Sequence, residues 1–234
     1  MRRPVMLALA ALATVLATPS PRPGWFLCDA VDAPVAALVG ARDAQGRSAI
    51  TLVPRGPGKP VTSVYQVGPG DPGMNQIHYP LLRNGRPAGD LHYVQPGVLA
   101  DPAAAWTPTF SSVTIAGRTL GCRWVAHTLF AGLDARRTFL VTQEADGLVY
   151  RSFDAAHRGP AIQTDGFGRT NRATLTIRGG TTDRANGTTR YRFANRGYVY
   201  TIVAPNTAAA RVTVAKGGRI VQTETLLGHS SRDR

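Results

Sequence analysis

From Phe26 onward the chain is a succession of short apolar or alternating runs separated by turn residues. The runs include "PVAALVG" (34–40), "SAITLV" (48–53), "VTSVYQV" (61–67), "NQIHYPLL" (75–82), "DLHYV" (90–94) and "FSSVTIA" (110–116). They continue with "RTFLVTQ" (137–143), "LVYRSF" (148–153), "ATLTIR" (173–178), "TTRYRF" (188–193), "YVYTIV" (198–203), "RVTVA" (211–215) and "RIVQTETLL" (219–227). Alternation with a period of two places every second side chain on one face of a strand. The spacers "DAQG", "RNGR", "AGR", "EADG", "ANG", "ANRG" and "KGGR" carry glycine or asparagine where a hairpin needs positive φ. Short strands at this spacing predict an all-β protein, an antiparallel sandwich or barrel of hairpin-connected strands, with room for two packed β units.

Two segments depart from the pattern. "DPAAAW" (101–106) offers Asp101 as an N-cap and Pro102 at the first helical position, which predicts one short helix. "RWVAHTLFAGLDA" (123–135) fits neither the strand nor the helix period. Residues 155–172, "AAHRGPAIQTDGFGRTNR", read as loop. The expected division is therefore a β domain over 28–158, a C-terminal β meander over 165–228 and a tail over 229–234. One continuous domain is the alternative.

The amino terminus sets the compartment. Arg2 and Arg3 precede the apolar run "VMLALAALATVL" (5–16), and Val15-Leu16-Ala17 supplies small residues for a cleavage site, so residues 1–17 read as a secretory signal peptide. A Pro-rich linker over 18–27 follows, and no run approaches the ~20 apolar residues that span a bilayer. The expectation is a periplasmic or secreted protein without a membrane span. Export makes the 2 cysteines interpretable. Cys28 follows Trp25, Phe26 and Leu27 rather than small residues, which argues against a lipid anchor. There is no CxxC and no histidine beside either cysteine to build a zinc site. An oxidising compartment pairs thiols, so Cys28 and Cys122 are expected to form a disulfide.

Composition adds a strong positive charge. The formal net charge is +13, which loss of Arg2 and Arg3 with the signal peptide lowers by two, and of the 27 basic residues only Lys59 and Lys216 are lysine. From Arg118 onward 18 basic residues stand against 8 acidic ones. Such a field favours an anionic envelope polymer or an acidic protein as partner. Export argues against nucleic acid, and coding bias toward Ala, Gly, Pro and Arg is the bland explanation.

Catalytic motifs are lacking: there is no GxSxG, HExxH, P-loop or GxGxxG, and no cofactor is expected. His78 and His92 flank the Asn84-Gly85 turn and could form a metal pair. A two-residue turn there pairs Arg83 with Arg86 and therefore His78 with Leu91, which sets the histidines on opposite faces and predicts no metal site. "GPGDPGMNQIH" (68–78) reads as a turn-rich loop in which Asp71-Pro72 is a turn former. "NGT" (186–188) matches a glycosylation acceptor, but its Asn-Gly is first a hairpin signal.

The hairpin 188–203 carries the one candidate ligand site. A tight turn at Asn195-Arg196 would demand positive φ at Arg196, so the expected turn is a type I turn over Ala194 to Gly197 with Gly197 as a bulge. That register sets Arg190, Arg192, Tyr198 and Tyr200 on one face and Tyr191, Phe193, Val199, Thr201 and Val203 on the core face. Guanidinium groups beside tyrosine rings suit an anionic or sugar-like ligand, although arginine stems also simply cover aromatic surface. The expected function is an exported binding or interaction module of the envelope. The alternatives are a hydrolase of an envelope polymer, with His78 or His127 joined to a carboxylate, and a structural or inhibitor-like protein.

Overall fold

The computed structural model describes residues 25–95, 109–164 and 168–231. These residues are all-β and contain no helix, and therefore none long and apolar enough to cross a membrane. The expected helix at 101–106, the signal peptide and most of the linker lie outside the described residues.

The first part of the chain gives strands β1 (Phe26–Asp29), β2 (Val35–Val39), β3 (Arg47–Pro54), β4 (Val61–Val67), β5 (Asp71–Gly73), β6 (Gln76–Arg83), β7 (Arg86–Val94), β8 (Phe110–Ile115) and β9 (Arg118–Gly121). The next group is β10 (Thr128–Leu133), β11 (Arg137–Glu144), β12 (Gly147–Asp154), β13 (Ile162–Gln163), β14 (Arg169–Thr170) and β15 (Leu175–Ala185). The last is β16 (Thr188–Asn195), β17 (Tyr198–Pro205), β18 (Arg211–Lys216), β19 (Arg219–Thr225) and β20 (Gly228–Ser231). Hairpins repeatedly turn on two residues that both hold positive φ, as at Asn84-Gly85 (52° and 73°), Asn186-Gly187 (50° and 67°) and Gly217-Gly218 (55° and 80°). Such turns share the twist of the strands they join.

The first sheet runs β1-β2-β3-β4-β6-β7-β8-β9, with β5 folded onto β6. It curls until its ends meet and forms a nearly closed barrel. Just past β9, Cys122 bridges Ala30, Val31 N–H donates to Gly121 O at 3.1 Å and Arg123 N–H donates to Asp29 O at 2.9 Å. The Cys28–Cys122 disulfide lies across this seam with Cα atoms 4.5 Å apart, so the expected bridge is present and it joins the first strand to the last. Phe26, Val39, Ile50, Leu81, Leu91 and Val113 fill the interior.

The second sheet runs β19-β18-β17-β16-β15-β12-β11-β10-β20 and forms a half-barrel. Its concave face buries Phe139, Tyr150, Ile177, Tyr191, Phe193 and Ile202. β15 turns the corner: Leu175–Arg178 pair with β12 and Thr181–Ala185 with β16. Gly179 between them has φ 77°, and a Cβ at Gly180 would fall 2.2 Å from the Phe193 ring. Glycine is thus required where the sheet bends over its own core. The sheets part between β9 and β10, whereas the stretch 155–172, where a boundary was expected, connects β12 to β15, paired neighbours in the second sheet, and its described residues hold the separate β13-β14 pair. The ambiguous 123–135 segment supplies β10, and the expected tail from 229 supplies β20, which pairs with β10.

Barrel and half-barrel meet over Ala36, Val53 and Leu133, packed with Leu27, Leu38 and Leu227. A charged cluster sits beside this contact. Asp29 of β1 is buried, its Oδ2 accepting from Arg123 Nε at 2.8 Å and its Oδ1 lying 3.9 Å from Arg55 Nε. Arg55 also donates to Asp134 O at 2.6 Å and to Thr138 Oγ1 at 2.9 Å, and Arg123 lies 3.8 Å from the Phe153 ring centroid. Burial would raise the Asp29 carboxyl, but Arg123 and Arg55 together hold it below its ordinary value.

Candidate functional site

The expected arginine and tyrosine patch is divided by the register. β16 and β17 turn on Arg196-Gly197, with φ 47° and 78°, and Asn195 pairs with Tyr198. Phe193 then faces Tyr200 and Arg192 faces Thr201. Arg190 and Arg192 stand exposed on the convex face near Thr201 and Val203, whereas Tyr198 and Tyr200 share the concave side with Tyr191 and Phe193. The assumption that Arg196 would refuse the left-handed region is what failed. The αL penalty of ~1 to 2 kcal/mol is outweighed by the eight-pair ladder that the two-residue turn permits, from Thr188↔Pro205 to Asn195↔Tyr198. Tyr198 is capped by Lys216, whose Nζ lies 4.9 Å from the ring centroid.

Tyr200 leads to a different site. Its ring lies 5.6 Å from that of Tyr150, and both line a hollow of about 200 Å³ on the concave face of the half-barrel. Leu175, Val212 and Val214 complete an apolar floor, and Ser152, Asp154 and Gln222 add polar groups. Across the hollow Arg137 of β11 reaches Glu224 of β19 at 2.6 Å, although β12, β15, β16, β17 and β18 lie between those strands in the sheet. Gln222 Nε2 donates to the same Glu224 oxygen at 2.5 Å. The Glu224 carboxyl is pushed up, first by burial and then by the neighbouring Asp134 carboxyl, against the opposing pull of Gln222 and Arg137. Tyr150, almost wholly buried, has its phenol pushed up chiefly by burial, so it stays protonated and able to donate. An apolar floor with convergent, mutually braced polar groups is the usual make-up of a small-ligand site. Alternation in β11, β12, β17 and β19 carried this signal, but only the curl of the sheet brings β11 to β19.

A second constellation lies on the outer face of the barrel and corrects the expected placement of the histidines. Arg83 does pair with Arg86 around Asn84-Gly85, but Ala88 is an extra residue between Leu82↔Pro87 and Leu81↔Gly89. This bulge shifts the register by one, so His78 lies opposite His92, with ring centroids 4.5 Å apart and planes at 20°. A one-residue slip moves every later side chain to the other face, and the bulge does here what an odd loop would have done. His78 Nδ1 is 2.9 Å from Asp90 Oδ2. His92 Nε2 bonds to Gln76 Oε1 and its Nδ1 to Ser111 Oγ. Both nitrogens of His92 are therefore engaged, and no group of three or more metal-ligating side chains forms among the described residues. Asp71 of β5 sits opposite His78 in a short hairpin rather than in a loop. His127 lies apart from this group, just ahead of β10, at φ 57°.

No family model matches this chain, and neither a curated protein nor a solved structure is similar to it.

Proposed function

We propose that the protein is an exported binding module whose concave half-barrel receives a sugar-like ring, one unit of an anionic envelope polymer. The observation that carries this reading is the hollow itself: two tyrosine rings at its floor and the Arg137–Glu224–Gln222 cluster on its wall. Aromatic faces take the C–H face of a sugar. Carboxyl, amide and guanidinium groups pair with its hydroxyls, and their bonds to one another hold them in place before the ligand arrives. About 200 Å³ suits one ring rather than an extended chain. The surplus of arginine in the C-terminal half, including exposed Arg190, Arg192 and Arg211, raises the local concentration of an anionic polymer around the site. The disulfide supports an oxidising compartment, in keeping with the signal-like amino terminus.

Calorimetric titration with defined oligosaccharide fragments of envelope polymers tests the reading. Binding should survive moderate salt and weaken about 2- to 10-fold in Tyr200→Ala, the loss expected for one aromatic contact of ~0.5 to 1.5 kcal/mol. An affinity unaltered by Tyr200→Ala, or none for any fragment, refutes it.

A further inference from the structure

The outer face of the barrel holds a hydroxyl, an imidazole and an amide in series, and none of them takes part in the hollow on the other sheet. Gln76 Oε1 can only accept, so His92 Nε2 carries the proton of their bond. Nδ1 is then a lone pair, and Ser111 Oγ–H donates to it. The same hydroxyl is 3.5 Å from His92 O, too far to compete. Two independent irregularities build this arrangement. The Ala88 bulge sets His92 on the outer face opposite His78. A second bulge follows, because His92 pairs with Ser112 and Tyr93 with Phe110, leaving Ser111 as the extra residue. In a regular ladder Ser111 would point away from the face that His92 occupies. Bulges gather where a side chain must be re-aimed, and here both serve one histidine. The backbones also approach closely beside it: a Cβ on Gly89 would lie 2.1 Å from Thr114 O, so only glycine lets β7 and β8 pair next to Asp90.

We infer that Ser111 is a nucleophile, with His92 as its general base and Gln76 as the residue that fixes the tautomer of the base. The chemistry is acyl transfer from a carboxylic ester. Ser111 Oγ forms a bond to the ester carbonyl carbon as its proton passes to His92 Nδ1. The carbon–alkoxy bond then breaks, and the leaving alkoxide takes that proton from His92. Water, giving a proton to His92 Nδ1, attacks the acyl-serine, and Ser111 Oγ regains a proton as the acid departs. Ser111 and His92 are both partly exposed, so an ester can reach them. Burial and the neighbouring His78 lower the His92 pKa, against the pull of Asp90, which favours the neutral imidazole that a base requires. Gln76 carries no charge to stabilise an imidazolium, which restricts the site to esters with good leaving groups and excludes amides.

The purified, disulfide-intact protein is mixed with p-nitrophenyl acetate, followed for a burst of nitrophenolate and then digested for peptide mapping. The expected result is about one equivalent released and an acetyl group on Ser111, with the burst slowed about a hundredfold or more in His92→Gln. Ser111→Ala should remove the adduct. Should that variant fail to fold, the map of the unaltered protein decides alone. No acetyl adduct, an adduct on any other residue, or a burst unaltered in His92→Gln overturns the inference.

Discussion

The barrel and the half-barrel are made from the same short antiparallel hairpins, yet one ends as a filled cylinder and the other as an open curve. In the barrel the last strand returns to the first, and a disulfide and backbone bonds close the seam over an interior of large apolar side chains. Its cluster of His78, His92, Gln76 and Ser111 lies outside, where bulges re-aim the side chains. The half-barrel bends at Gly179-Gly180 and stops short of closure, leaving its edge strand β19 to reach across the concave face to β11 through Glu224 and Arg137. Whether a sheet completes its turn thus decides on which face it can host chemistry.

The largest expected effect comes from breaking the barrel seam. Cys28 and Cys122 are 94 residues apart, and in the chain-entropy account removing such a bridge costs roughly 4 to 5 kcal/mol. Urea unfolding of the reduced protein, or of the double Cys→Ser variant, should show the loss for the barrel before the half-barrel. Next is the junction. Asp29→Ala leaves Arg55 and Arg123 buried without their shared carboxylate, for about 3 to 5 kcal/mol. Because the Asp29 pKa is depressed in the folded state, its contribution is complete above the unfolded value near 3.8 and disappears as pH falls through the lower folded value. Acid titration of unfolding should show that loss in the unaltered protein and not in Asp29→Asn.

A smaller effect is expected at the hollow. The Glu224 pKa is raised, so the folded state holds this proton more tightly than the unfolded chain does. Stability should decline as pH rises from about 4.5 through the raised value, and Glu224→Gln should flatten that slope. Smallest is the turn of the half-barrel hairpin, which carries Arg196-Gly197 where the barrel carries Asn84-Gly85 at matching positive φ. Arg196→Asn should stabilise by about 0.5 to 1 kcal/mol in thermal melts, since asparagine tolerates the left-handed region better.

The strands were legible because alternation survives whatever a strand pairs with: "VTSVYQV" coincides with β4, and "RTFLVTQ" differs from β11 by one residue. The disulfide was legible from an even pair of cysteines behind a signal-like amino terminus. Registers were not. A bulge such as Ala88 has no signature in alternation, yet it alone decides that His78 meets His92. Arg196 looked unfit for a tight turn because local preference was weighed without the ladder that rewards it. β20 was hidden because "GHSS" has no apolar pattern, and it is a strand only because β10 offers an edge. The hollow needs curvature, which no short window of sequence records.

The contrast between the two faces of the half-barrel can be tested in one experiment: NMR chemical-shift mapping with the tightest-binding oligosaccharide fragment. The account predicts perturbations at Tyr150, Tyr200 and Glu224, with Arg190, Arg192 and Arg211 unmoved at moderate salt. Shifts confined to those arginines on the convex face, with the tyrosines silent, would contradict it.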